Sequence, residues 1–359
     1  MRRKLTLKDV SRESGLSTFT VSRALAGAEG VSKESREAVL RVAEEMGYVP
    51  NLAAQKLRGV ASSTIAVITA GTSNAYYLDM MNGIQAVAQD MDQTVVLTDI
   101  AIGGVYDIGR ERQTIQRLLE GRVGGVISTL TLLPESVKRL EDWEIPIVFV
   151  DSSPPEELPY VPSVTTDNYN ASLLVGAHLQ SHAFQDWLLL VYPPIWSSRK
   201  ERERGLRDAA AKAGATIEVV EAGNNAASAS KALRDCLGRR GGRLPDILIA
   251  GNNPILLGAF QVARERNTII PDNMAMVCFD DFPFAPYLDP PVTVLNERSE
   301  EIGRLSAHML TEIMSAQIEA RKAGKPAAPI YTNEHQLQVP VDLVVRRSCG
   351  CPDPTRSRS

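Results

Sequence analysis

Thr18, Phe19, Ser22 and Arg23 fall at helical spacing and bring two hydroxyls, an aromatic ring and a guanidinium to one short stretch of chain. In the major groove of DNA a hydroxyl can bond either base type, a ring can pack on a thymine methyl, and an arginine can bond guanine in bidentate fashion. Each such pairing discriminates by about 1–3 kcal/mol. A helix in that groove is read through its N-terminal residues, so Thr18 and Phe19 would meet base edges first. The same residues also fit the solvated face of an ordinary helical hairpin. Phe19 argues against that, because an exposed ring beside two capped helices serves no purpose on a solvated face.

The elements that must hold these residues are legible around them. Thr6 and Asp9 have the spacing of a capping box, which predicts a helix starting near Leu7 with Leu7 and Val10 on one face. Gly15 supplies the permissive backbone for a tight turn, and Ser17 caps a second helix that carries Val21 and Leu25 four apart. A third helix is expected from Ser32 through Met46, closed by Gly47, with Val39, Val42, Ala43 and Met46 as its apolar stripe. Tyr48-Val49-Pro50 ends the unit. Asn51 then caps a short helix, Leu52 to Leu57, that stops at Gly59. Two turns are too few to pay for nucleation in water, so this helix should fold only when something holds it.

Charge and composition agree. The 359 residues carry 39 Lys/Arg against 43 Asp/Glu, a net −4, yet residues 1–60 hold eleven basic against seven acidic side chains. A basic head on an acidic body suits a sequence-specific binder whose remainder should not adhere to phosphate. No apolar run is long enough to span a membrane and the first capped helix starts at once, so the expected location is cytoplasmic. From Ser63 onward, apolar runs alternate with helical stretches. Thr64–Thr69, Thr94–Asp99, Val123–Ser128 and Pro146–Asp151 form one series. Trp187–Val191, Ile217–Val220, Asp246–Ala250 and Met274–Phe279 form another. Near-continuous apolar strands with helices between them indicate parallel sheets buried on both faces, hence two doubly wound lobes with a ligand cleft beyond their strand ends.

Enzymatic motifs are missing: there is no Gly-x-Ser-x-Gly elbow, no phosphate-loop lysine, and no Gly-x-Gly-x-x-Gly after the first strand. His178 and His182, four apart on an expected helix, could share a metal, but no third ligand is near them and they read as a packed or solvated pair. Cys349-Gly-Cys351 reads as part of a frayed C-terminus. Neither a metal nor a cofactor is expected.

Thr6-Leu-Lys-Asp-Val10, Gly15-Leu-Ser17, Thr20-Val-Ser-Arg23, Val31-Ser32, Gly47-Tyr48, Pro50-Asn51 and Leu57-Arg58-Gly59 resemble the DNA-binding and hinge region of the LacI/GalR family of bacterial transcription regulators. The resemblance continues more weakly to about Cys349. It implies an all-α helix-turn-helix head (1–50), a hinge helix (51–60), and an α/β periplasmic-binding-protein-like core. That core would have an N-terminal lobe (61–168 with 297–328), a C-terminal lobe (169–296 with 329–348) and a flexible tail (349–359). The implied DNA-contact set is Thr6, Ser17, Thr18, Phe19, Thr20, Ser22, Arg23, Asn51, Ala54, Leu57 and Arg58, with Leu57 wedged into the minor groove at the centre of a palindromic operator.

By the same resemblance, Tyr76, Tyr77, Trp196, Arg199, Arg202, Asn225, Asn253 and Asp280 form the effector set, with Arg202 and Asp280 as its polar anchors. Asn225 stands where relatives often carry an aromatic platform, and Asn253 where many carry aspartate. Trp196, Arg199 and Arg202 together suit an anionic ligand such as a sugar phosphate or acid. The expected function is a homodimeric repressor, able to pair into a tetramer, that binds double-stranded DNA under control of a sugar, sugar phosphate or related metabolite. An activator or dual regulator has the same architecture. A sugar-binding protein or kinase of related fold would lack residues 1–60.

Overall fold

The computed structural model describes residues 5–25, 30–49, 62–69, 74–101 and 105–352. Two compact units divide between Ser62 and Ser63. In the head, α1 (Leu7–Ser14), α2 (Thr18–Leu25) and α3 (Lys33–Met46) close over Val10, Val21, Ala24, Val39 and Ala43. The reciprocal box is present: the Asp9 carboxylate accepts from Thr6 N at 2.9 Å and from Thr6 Oγ1 at 2.6 Å. Gly15, at φ +68°, ends α1 in the left-handed conformation that favours glycine. Ser17 Oγ accepts from Thr20 N, and Ser32 Oγ caps α3 by accepting from Ser35 N. The expected hinge helix, with Asn51, Ala54, Leu57 and Arg58, lies outside the described residues.

In the second unit the chain runs β1 (Thr64–Thr69), α4 (Ala75–Asp90), β2 (Thr94–Asp99), α5 (Ile108–Glu120), β3 (Gly125–Ser128), α6 (Pro134–Asp142), β4 (Ile147–Val150) and β5 (Ser163–Thr166). It continues through α7 (Asn168–Ser181), β6 (Asp186–Val191), α8 (Ser197–Ala213), β7 (Thr216–Glu221), α9 (Ala226–Arg239), β8 (Ile247–Ala250) and α10 (Asn253–Glu265). Then follow β9 (Ala275–Cys278), β10 (Thr293–Asn296), α11 (Ser299–Lys322), β11 (Gln336–Val339) and β12 (Asp342–Val344). These strands form two six-stranded sheets, ordered β11-β5-β4-β3-β1-β2 and β12-β10-β9-β8-β6-β7. The described pairs are parallel apart from β10 with β12. The central strands β3, β4, β8 and β9 are buried throughout, as their apolar runs require.

The chain crosses between lobes after β5, after β10 and after β11. The third crossing corrects the expected boundaries. Residues 336–339 pair with Ser163–Thr166 in the N-terminal sheet, although 329–348 was assigned to the C-terminal lobe. A further correction concerns the tail assigned to 349–359. Ser348 Oγ donates to Met276 O and accepts from Thr293 N, and the next residue, Cys349, is fully buried. Backbone and side-chain hydrogen bonds therefore seat this segment on β9 and β10.

Candidate DNA interface and ligand cleft

On the head, Thr18 and Phe19 occupy the first turn of α2, and Phe19 is 69 % exposed. That exposure removes the packing explanation for the ring. The guanidinium of Arg23, one turn later, lies 5.5 Å from the ring centroid, so the two side chains form a single surface. Thr20 is tied to Ser17, whose hydroxyl lies 2.9 Å from Thr20 Oγ1. Thr6 is committed to the α1 cap. Thr18, Phe19 and Arg23 thus share one side of α2, with Ser17, Thr20 and Ser22 beside them.

The second unit gathers an unusual set of buried charges where strand ends from both sheets meet. Arg202, on α8, is 2 % exposed. Its Nε donates to Asn168 Oδ1 at 2.8 Å, Nη1 to Gly251 O at 2.7 Å and to Asp280 Oδ1 at 3.3 Å, and Nη2 to Glu297 Oε1 at 2.5 Å. Phe279 covers one face of the guanidinium at 4.6 Å. Asp280 follows β9, Asp151 follows β4, and both hold the left-handed backbone, at φ +66° and +54°. Strain of this kind costs about 1–3 kcal/mol and persists where the surroundings dictate it.

Asp280 and Glu297 thus share one guanidinium, and Asp151 lies near enough to feel its charge. Burial pushes Asp151 up to about 7, opposed by Arg202 and reinforced by Asp280. Burial raises Glu297 well above the usual carboxylate range as well, again opposed by Arg202 and reinforced by Asp280 and Asp151. Burial also raises the phenols of Tyr76 and Tyr77, whose rings meet edge to face at 5.6 Å, and Asp151 adds to both shifts. Tyr192 feels the same charges. The hydroxyls of Thr69 and Thr166, at the ends of β1 and β5, are buried without a partner among the described residues, while the Tyr76 phenol faces Asp151 and Glu297 faces Asp280. Uncharged carboxyls, phenols and hydroxyls can each donate as well as accept, which is what ligand hydroxyls require.

Asn74 bridges the lobes, donating to Asp280 Oδ2 at 3.2 Å and accepting from Asn253 Nδ2 at 2.6 Å. A second bridge joins Ser153 N to Ser197 Oγ at 2.8 Å. Tyr76 and Glu297 also line an open groove of about 640 Å³ with a charged rim.

Of the eight effector residues named from sequence, Tyr76, Tyr77, Arg202 and Asp280 come together, and Asn253 reaches them through Asn74. Trp196 stands beside Tyr192 at 5.6 Å. Arg199 instead pairs with Glu221 at 2.6 Å and Glu203 at 3.1 Å, and Asn225 caps α9 by accepting from Ser228 N. Both guanidiniums are therefore neutralised inside the protein, against the expected anion site. Sequence reasoning missed Asn74, Asp151, Asn168, Tyr192 and Glu297. Asp151 alone carried a signal, as an acidic residue closing an apolar strand.

Two lobes with parallel sheets and a polar cleft at their strand ends define a periplasmic-binding-protein-like effector core, here joined to a helix-turn-helix head. Residues 62–335 match the family of periplasmic binding proteins and the sugar-binding domain of the LacI family, and residues 6–51 match the bacterial regulatory proteins of the lacI family. The chain belongs to the LacI family. It is a DNA-binding transcriptional regulator, not an enzyme. It is 28% identical to the ribose operon repressor of Halalkalibacterium halodurans over 343 residues, 96% of each chain. It is 25% identical to the HTH-type transcriptional regulator DegA of Bacillus subtilis, over 96% of this chain and 98% of that one. In fold it resembles the lac repressor dimer bound to operator and the anti-inducer ONPF, with TM-score 0.77 and 23% identity over 97% of this chain and 99% of that one. Among the described residues no helix is long and apolar enough to cross a membrane.

Proposed function

We propose that the protein is a homodimeric repressor whose hold on a palindromic operator is governed by a neutral, polyhydroxylated ligand of the sugar class bound between the lobes. The observation that carries the ligand class is the Asp151, Asp280 and Glu297 cluster around an already paired Arg202. Among the described residues, an anion would meet three carboxyls and no uncommitted cation there. Hydroxyl groups would instead meet the Tyr76 phenol, Asp151, Glu297 and the strand-end threonines, with Tyr192 and Trp196 offering rings for a sugar face. Thr18, Phe19 and Arg23 read each half-site, and Leu57, outside the described residues, acts at the centre of the operator. Ligand binding changes the fit of the lobes, and so the folding of the short hinge helices on DNA, with a coupling of about 1–3 kcal/mol.

A panel of neutral, phosphorylated and carboxylated sugars tests the ligand class by thermal shift, with operator affinity measured alongside. Neutral sugars should raise the melting temperature and change operator affinity about five- to 150-fold. Stabilisation by phosphorylated or carboxylated sugars alone would overturn the assignment.

A further inference from the structure

We propose that His178, His182, Cys349 and Cys351 form a tetrahedral zinc site that clamps the C-terminal segment onto α7. Their ligand atoms all lie within 4.8 Å of one another. His178 Nε2 is 3.3 Å from Cys349 Sγ, and His182 Nε2 is 3.2 Å from Cys351 Sγ. Zinc bonds of about 2.3 Å to sulfur and 2.0–2.1 Å to nitrogen place N and S about 3.5 Å apart in a tetrahedron, so the side chains need only small adjustments. Two thiolates with two imidazoles select zinc among the common divalent ions, and four protein ligands make a closed, structural site rather than a catalytic one.

Each ligand is held by something else in the fold. His178 lies in the last turn of α7 and His182 is its C-cap, so a four-residue step puts both on one side of the helix end. The His182 ring is stacked on Phe184 at 5.2 Å with 10° between planes, and it meets His178 edge to face at 4.9 Å. On the other strand of the clamp, Gly350 adopts φ +92°, which turns Cys349 and Cys351 to the same side across a one-residue spacer. Ser348 pins that turn to β9 and β10. Thr293 Oγ1 lies 3.1 Å from Cys349 Sγ, where it can hydrogen-bond a bound thiolate as supporting groups of metal sites do. Cys349 is buried and the other three are half-buried, leaving an entry path from solvent. Neither cysteine is in a disulfide.

Tag-free, full-length protein purified under reducing conditions should contain one zinc per chain by elemental analysis. A strong chelator should lower the melting temperature and added zinc, not magnesium, should restore it. Cobalt exchanged into the site should give thiolate charge-transfer and tetrahedral ligand-field bands. Cys351→Ser and His182→Ala, at half-buried positions, should each lose the zinc and melt identically with and without chelator. Chelation of the unaltered protein makes the result independent of whether a variant folds. The site is overturned by protein that holds no zinc, takes up no cobalt and melts at one temperature whatever the chelator.

Discussion

Phe19 and Asp151 each hold a side chain where simple partitioning would not leave it. Phe19 spends its apolar surface on solvent while sharing a face with Arg23, an arrangement that gains only when a base edge covers the ring. Phe19→Ala should leave the head folded, since Val10, Val21 and Val39 form its core without the ring. It should weaken selected operator by about 1–3 kcal/mol, roughly five- to 150-fold, and relax preference at one base pair. Fluorescence anisotropy against single-base operator variants checks this; unchanged affinity would remove Phe19 from the reading edge. Asp151 is the opposite case, a carboxyl buried between lobes. Because its folded value rises to about 7, the folded protein holds a proton there that the unfolded chain releases near its ordinary acidic value. Its stabilising contribution is therefore complete only below the ordinary carboxylate value, falls steadily as pH rises through mild acid, and is gone once pH passes about 7. Melting temperatures from pH 5 to 8 should fall more steeply for the native protein than for Asp151→Asn; equal slopes would count against the shift. Sequence marks Phe19 because an exposed ring is odd in any helix, whereas Asp151 looks like any strand-end turn until Asp280 and Glu297 are folded beside it.

At the scale of elements, caps and uninterrupted apolar runs were legible and short, partly polar strands were not. Thr6 with Asp9, Ser17, Ser32 and Gly47 bound the head helices because each acts within one turn of chain. The expected runs Thr64–Thr69 and Thr94–Asp99 match β1 and β2 residue for residue. Ser163–Thr166 and Gln336–Val339 are short and partly polar, and only pairing makes them strands: the first lies between β4 and the second, which forms the sheet edge. Nothing in the pattern marks Gly83 or Gly303 either, yet α4 and α11 approach there backbone to backbone. A Cβ on Gly83 would stand 2.1 Å from Glu300 O, and one on Gly303 would stand 2.1 Å from Met80 O. Gly303→Ala should force the helices apart and destabilise the effector core by about 1–3 kcal/mol, measured by urea denaturation. A neutral result would mean the helices can slide at no cost.

The whole molecule shows two surfaces of opposite character. The cleft is polar and rich in buried ionisable groups, whereas the C-terminal lobe exposes Leu257 (51 %) with Ile269, Phe284 and Tyr287. Leu257, Phe260, Ile269, Ile270 and Leu288 line one apolar groove on that lobe. Patches of this kind mark interfaces, and a second copy of the chain is the partner a palindromic operator demands. Leu257→Arg should shift sedimentation from dimer to monomer and weaken operator binding at least tenfold while the melting profile of the core persists; an unchanged dimer would place the interface elsewhere. The overall architecture was readable because two strand series repeat one pattern. The His178, His182, Cys349 and Cys351 cluster was not, since each half looks trivial and only the lobe's closure joins them. The same three crossings of the chain between lobes set an order of events during synthesis. The head is contiguous and can fold while the rest is still being made, but the N-terminal sheet waits for β11 and the C-terminal sheet for β12. A nascent or truncated chain lacking residues 336–344 would therefore carry a DNA-reading head that no metabolite can command.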